Sequence, residues 1–79
     1  MPYIVKSHRA RFNSRADVPR TAGELNYVIT KTIMEYYYNG GYQEINDVLG
    51  ALEGAKLEFY RRVVAPYEDT KIEENGDVY

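Results

Sequence analysis

The sequence has no cysteine, no tryptophan and a single histidine, His8. Without cysteine, disulfide bonds and thiolate metal sites are excluded. His8 has no neighbouring residues at metal-ligand or catalytic spacing, so we expect a solvated side chain. The adjacent acidic pairs near the C-terminus diverge by about 100° on a helix and do not form a catalytic dyad. The sequence therefore predicts a non-enzymatic protein with no catalytic residue, metal site or cofactor.

The sequence also lacks any apolar run approaching the length of a membrane span, and it has no N-terminal signal core. We therefore expect a cytoplasmic protein that does not enter a membrane. Its 79 residues allow one domain at most, and a domain of that size buries only about 60% of its unfolded surface. Small folds without disulfides or metals often depend on association, so the size predicts a homo-oligomer.

Charge is nearly balanced overall but unevenly distributed. The formal net charge is -2, which disfavours nucleic-acid binding because such domains are usually basic. Residues 1–20 carry five basic residues and one acidic residue, whereas residues 66–79 carry five acidic residues and one basic residue. We interpret residues 1–20 as a basic arm, irregular or ordered on a partner surface, and residues 21–79 as a single small helical domain.

Two long helices and one short helix are predicted after the arm. Thr21-Ala22-Gly23-Glu24 fits a capping box, and the helix that follows should span about 22–38, ending at Asn39-Gly40-Gly41. An apolar stripe predicts a second helix over about 43–64, stopped or kinked by Pro66. Pro66 should also begin a short C-terminal helix, which Asn75-Gly76 should stop. The expected fold is all-α: an antiparallel helical hairpin plus this short helix, in an oligomer.

Binding chemistry is better represented than catalytic chemistry, since nine of the 79 residues are tyrosine. Arg61 and Arg62 lie close to Tyr67, and cationic planes beside phenol rings suit phosphates, carboxylates and nucleobases. The alternative is that these arginines pair with Glu58, Glu68 or Asp69 at the helix junction.

The arm offers similar chemistry in Arg9 and Arg11, beside Phe12. The alternative for these arginines is docking onto the acidic C-terminal segment. Around the Asn-Gly-Gly turn, helical register leaves the ring of Tyr37 as the exposed member of the tyrosine cluster, while Tyr36 falls on the apolar stripe. The candidate binding residues are Arg9, Arg11, Tyr37, Arg61, Arg62 and Tyr67.

Four segments, LNYVITK (25–31), NDVLGALE (46–53), YRRVVAPYED (60–69) and ENGDVY (74–79), resemble a family of short uncharacterised proteins encoded in bacteriophage and prophage genomes. The resemblance covers about residues 25–79. It implies a phage setting, with the host cell cytoplasm as the place of action, and it transfers no catalytic residue.

The leading hypothesis is a phage accessory protein that binds and inhibits a host protein, for example in anti-CRISPR or similar counter-defence. One alternative is an oligomeric sponge that sequesters a cyclic or ADP-ribose-type nucleotide signal, with arginines on the phosphates and tyrosines on the base. Another is a structural or assembly protein of the virion.

Overall fold

The computed structural model describes residues 3–13 and 17–79. Within those ranges the chain forms four α-helices and one π-helical turn and contains no strand, which confirms the all-α class. The helices are α1 (Lys6–Asn13), α2 (Ala22–Tyr36), α3 (Tyr42–Phe59) and α4 (Ala65–Asn75), and the π turn spans Tyr60–Val64. None of these helices is long and apolar enough to cross a membrane.

The chain divides into two compact units, Met1–Ile45 and Asn46–Tyr79. The antiparallel hairpin of the two long helices, like the oligomer, stays a prediction.

The first unit contains a helix where the sequence indicated irregular structure. Residues 6–13 form α1, although their side chains have no clean apolar period. The helix is held by tertiary contacts, because Phe12 is only 6% exposed and its ring lies 6.3 Å from that of Tyr27 on α2. One buried ring therefore fixes a segment whose local pattern carries little helical signal. Five residues of the arm predicted over 1–20, namely 1, 2 and 14–16, lie outside the described ranges.

The predicted cap of α2 is present, with one change. The Glu24 amide donates to Thr21 Oγ1 over 3.1 Å, as a capping box requires. The Glu24 carboxylate accepts from the Arg20 amide, at 2.9 Å, and so reaches one residue further back than the motif predicts. The helix ends at Tyr36, two residues before the predicted end. Gly40 follows with φ of 67°, a left-handed conformation that glycine adopts without strain.

The second unit remains helical through Pro66, where the sequence predicted a stop or a kink. Phe59, Val64 and Ala65 all have right-handed helical backbone angles. The adjustment to proline is made one turn earlier, where the Ala65 amide donates to the Tyr60 carbonyl and closes a π turn. Proline lacks an amide hydrogen and crowds the carbonyl four residues before it, and a wider turn relieves that crowding.

The end of α4 agrees with the sequence prediction. It ends at Asn75, and Gly76 with φ of 88° closes the helix by donating its amide to the Ile72 carbonyl. Neither α3 nor α4 contains a buried residue. Apart from the half-buried Val48, the apolar residues that predicted α3 are therefore exposed. Tyr36, assigned to the corresponding stripe of α2, is 56% exposed.

Candidate recognition surface

The arginine and tyrosine side chains around the π turn are exposed and held in place. Both oxygens of the Glu58 carboxylate lie 3.2 Å from Arg61 Nη2, and Glu58 Oε2 lies 2.7 Å from Arg62 Nε. The side chains of Arg61 and Arg62 are nevertheless 69% and 72% exposed. One carboxylate thus fixes two guanidinium groups at the surface and leaves the trio with net positive charge. We call Glu58, Arg61, Arg62 and Tyr67 the junction surface.

Tyr67 supplies the aromatic part of the junction surface. It is 61% exposed, and Lys71 Nζ, one helical turn further on, lies 5.5 Å from the centre of its ring. Lys71 also pairs with Glu74 at 3.2 Å. The ring is therefore largely accessible and lies beside a cation, an arrangement that suits stacking against another π system.

A hydrogen bond spans the π turn beside this surface. The hydroxyl of Tyr60 donates to Glu68 Oε1 over 2.5 Å. This bond and the charge of Glu68 raise the pKa of the Tyr60 phenol above its ordinary value, with smaller contributions from burial and from Asp69. From the sequence, Glu68 is expected only as a possible partner of the arginines. The eight-residue spacing of this pair is not one at which two residues of a regular α-helix face each other.

Beyond the hydrogen bond, the end of α4 and the residues after it border an open groove of about 510 Å³. Its walls include two aromatic and two acidic side chains, Tyr60, Tyr79, Glu68 and Asp77, together with the apolar Ile72 and Val78. Lys71 is the basic residue in the lining. The groove therefore combines aromatic, acidic and apolar groups along the end of α4.

The two arginines of the arm have structural partners in the first unit. Arg9 donates from Nε to the Ile4 carbonyl at 2.9 Å, and its guanidinium lies 5.9 Å from the centre of the Tyr27 ring. The guanidinium of Arg11 lies 5.0 Å from the centre of the Phe12 ring. The two cations therefore flank the ring pair that joins α1 to α2.

Glu24 is the residue of this unit whose importance the sequence analysis underestimated. It is 6% exposed and accepts from Arg11 Nη2 at 2.8 Å as well as from the Arg20 amide. Asp17 adds a second carboxylate 3.4 Å from Arg11 Nη1. A capping-box glutamate is usually solvated. Its burial here depends on α1, which the periodicity did not predict.

Tyr37, the remaining predicted residue, lies at the end of α2. Its hydroxyl reaches the Gly40 carbonyl at 3.4 Å, and its ring covers Gly40. The ring is partly buried by the turn, whereas Tyr38 and Tyr42 are 87% and 78% exposed. The prediction that the Tyr37 ring is the exposed one is therefore wrong, because the turn packs against it. The most exposed rings of the cluster are those of Tyr38 and Tyr42.

Among the described residues, no three histidine or acidic side chains are grouped so that they could hold a metal ion. His8 is half exposed, with Nδ1 4.0 Å from Glu24 Oε2. Of the predicted binding residues, the structure brings Arg61 and Arg62 together on Glu58, close along the helix to Tyr67. It places Arg9 and Arg11 in a separate cluster within the first unit.

The sequence of the chain was compared with the profiles of known protein families. The profile of a family described as "Domain of unknown function (DUF6899)" matches residues 1–78. The chain belongs to this DUF6899 family. The match includes the first 24 residues, which the sequence resemblance had left out, so the segment that forms α1 is part of the family domain. No curated protein and no solved structure matches the chain.

Proposed function

We propose that this DUF6899 member is a binding protein that inhibits a host factor through the junction surface. The observation that supports this most directly is the exposure of Arg61, Arg62 and Tyr67 on a helical segment that also carries exposed apolar side chains. Phe59 and Val63 are 60% and 52% exposed. Arginine and tyrosine are among the residue types most enriched at binding hot spots, and apolar surface rimmed by polar groups is typical of interaction sites.

The structure also supplies a reason for such a surface to bind efficiently. Association is opposed by the ordering of flexible side chains, at about 0.5–1.5 kcal/mol for each immobilised long side chain. Glu58 already orders both guanidinium groups, at 3.2 Å and 2.7 Å. A host protein that presents a carboxylate beside an apolar patch would therefore meet preformed donors on this chain. Binding would cover that patch of the host protein and prevent its usual interactions.

The phage setting enters this proposal through the resemblance of the four sequence segments described above. In that setting the chain acts in the host cell cytoplasm as a counter-defence protein, for which an anti-CRISPR activity is the specific form we propose. Two alternatives remain: a sponge for a cyclic or ADP-ribose-type nucleotide, and a structural role in the virion.

The proposal is tested in bacteria that carry an active defence system and are challenged with a phage which that system restricts. Expression of the wild-type chain should restore plaque formation, and Arg61→Ala and Tyr67→Ala should each abolish the restoration. Glu73→Ala, an exposed change on the same helix, is the matched control. Circular dichroism of the purified variants verifies that each remains helical.

Three outcomes would count against host-factor inhibition. Failure to restore plaques against any of a panel of defence systems would contradict it, and so would full activity of both junction variants. A rise in unfolding temperature with a cyclic nucleotide or an ADP-ribose derivative would favour the sponge instead. Incorporation of the chain into purified virions would favour the structural role.

A further inference from the structure

The exposed apolar side chains of α3 and the π turn form one continuous face. Ile45, Leu52 and Phe59 follow one another at intervals of seven residues, two turns of helix, and Leu49 and Val63 lie beside them. Their exposed fractions are 40% for Ile45, 62% for Leu49, 40% for Leu52, 60% for Phe59 and 52% for Val63. An apolar face of this length on a helix requires a cover.

The charges along the same helix identify the cover. Glu44 and Asp47 occupy the first half of α3, which contains no basic residue before Lys56. From Glu53 to Arg62 three basic residues stand against two acidic residues, Glu53 and Glu58, so this half has a net charge of +1. The helix therefore runs from acidic to basic. A parallel copy would bring like charges together, whereas a copy running in the opposite direction would set the acidic half of each chain against the basic half of the other.

We propose that the chain forms a homodimer in which two copies of α3 pack antiparallel through this face. Leu52 lies at the two-fold axis and faces Leu52 of the partner subunit. Ile45 then packs against Phe59 of the partner subunit. The pairing is self-complementary, as a two-fold interface must be.

The flanking charges fit the same register. Glu44 and Arg62 are separated by 18 residues, which would be five turns of a regular helix. Arg62 lies in the wider π turn, which shifts it by a few tens of degrees, so the two residues lie approximately on the same side of the apolar face. In the antiparallel arrangement Glu44 lies within one turn of Arg62 of the partner subunit, and the symmetry repeats the pair at the other end.

Lys56 is the one charged side chain within the face, and it accommodates this packing. Its ammonium group points toward Glu53, with Nζ 3.9 Å from Oε1. The aliphatic stem can remain on the apolar face while the charge stays at the rim, as long basic side chains commonly do.

The opposite side of α3 provides matched controls. Gly50 and Gly54 lie roughly 140° and 180° around the helix from Ile45, and a Cβ added at either glycine meets nothing within 4 Å. The proposed dimer shares Phe59, Val63 and Arg62 with the surface proposed for inhibition. Separate variants distinguish the two proposals: Arg61→Ala and Tyr67→Ala test the inhibition, and the cysteine variants at positions 45, 52 and 59 test the dimer.

Cross-linking tests the geometry, because the chain has no cysteine of its own. Leu52→Cys should cross-link to itself with a short bifunctional maleimide. A mixture of Ile45→Cys and Phe59→Cys chains should give the mixed dimer in preference to either self-linked product. Gly54→Cys, on the back of the helix, should give none. The mixed pair keeps the test decisive if the Leu52 variant does not fold.

Charge reversal tests the register. Glu44→Arg and Arg62→Glu should each weaken dimerisation by about tenfold, and combining them should restore the wild-type dissociation constant. Sedimentation equilibrium of the full chain measures this. Restoration supports the pairing, because loss of folding alone would not be reversed by a second charge change.

Several outcomes would overturn the proposal. A chain that stays monomeric at high micromolar concentration would mean that its own helices cover the face. Self-linking of Ile45→Cys in preference to the mixed product would mean that the helices run parallel. Capture of a host protein by a monomeric chain would leave the proposed inhibition intact and remove the dimer.

Discussion

The hydroxyl of Tyr60 donates to the carboxylate of Glu68 across the π turn, with 2.5 Å between the two oxygens. In an unbroken α-helix, eight residues turn through about 800°, which leaves two such positions roughly 80° apart around the axis. The π turn at Tyr60–Val64 is wider, so it brings the two positions closer to alignment. The hydrogen bond is therefore a direct consequence of the local change in helix type.

The Tyr60–Glu68 bond should make the stability of the helix fall at alkaline pH. Because the pKa of Tyr60 is raised, chiefly by this hydrogen bond and the charge of Glu68, the neutral phenol is favoured in the folded state. Its contribution to stability is fully present below the ordinary tyrosine pKa of about 10 and is lost as pH rises through the folded pKa. Glu68→Gln should lower the pKa of Tyr60 towards its ordinary value.

An NMR titration of ring-labelled tyrosine follows Tyr60 individually. Glu73→Gln, on the same helix, is the control and should leave the titration of Tyr60 unchanged. If Tyr60 titrates at the same pH in wild type and in Glu68→Gln, the carboxylate is not the cause of the raised pKa.

Replacing Pro66 should change the helix type before it. In Pro66→Ala the new amide can donate to the Arg62 carbonyl, so the reason for the wide turn disappears. We expect the π turn to become regular α-helix and the Tyr60–Glu68 bond to break as the two side chains move apart. The pKa of Tyr60 should fall as it does in Glu68→Gln, and the amide at position 66 should be protected from hydrogen exchange.

Thr70→Ala is the control for this substitution, because Thr70 contacts the Pro66 carbonyl without determining the turn. A raised pKa of Tyr60 that persists in Pro66→Ala would show that other packing maintains the π geometry.

Loss of the Thr21 side chain should destabilise α2. Thr21 Oγ1 accepts from the Glu24 amide over 3.1 Å, so Thr21→Ala leaves that amide without its cap. The expected cost is about 1 kcal/mol in the free energy of unfolding, measured by urea denaturation. Thr21→Ser preserves the acceptor and should stay within a few tenths of a kcal/mol of wild type. Equal stability of the alanine and serine variants would contradict the capping role.

Glu24 should contribute more to the free energy of unfolding than an ordinary cap residue does. It is 6% exposed and binds Arg11, so Glu24→Gln replaces a charge-assisted pair with a neutral one. The side chain of Arg11 is 34% exposed, so solvent screens part of the interaction. We expect a loss of about 1–3 kcal/mol.

The loss at Glu24 should be accompanied by detachment of α1, detected as weaker NMR contacts between the Phe12 and Tyr27 rings. Glu53→Gln on exposed α3 is the control. If Glu24→Gln lowers stability while the ring contacts remain, the carboxylate stabilises α2 alone and does not hold α1.

Two glycines should respond to alanine in opposite directions. Gly40 has φ of 67°, so Gly40→Ala should cost about 1 kcal/mol through backbone strain. Gly50 lies inside α3 with open space around it, so Gly50→Ala should gain about 1 kcal/mol from helix propensity. Thermal unfolding of the two variants measures both. A destabilising Gly50→Ala would show that another helix packs closely against the back of α3.

The binding residues divide between features that sequence patterns encode and features that depend on contacts distant in sequence. The pairing of Arg61 and Arg62 with Glu58 follows from spacings of three and four residues on a helix, and it was among the alternatives that the sequence raised. The positions of Arg9 and Arg11 depend on α1 meeting α2, 13 residues away in the case of Arg11 and Glu24. No local pattern contains that information.

The sequence by itself determined the helical class, the cap at Thr21, the glycine stops and the apolar stripe of α3, because each depends on residues within a few positions of one another. Tertiary structure decided that residues 6–13 are helical, since burial of Phe12 against α2 supplies the stabilisation that their own pattern lacks. It also decided how the chain accommodates Pro66. A local rule predicts that proline disturbs a helix, but widening one turn satisfies that rule and keeps the helix continuous.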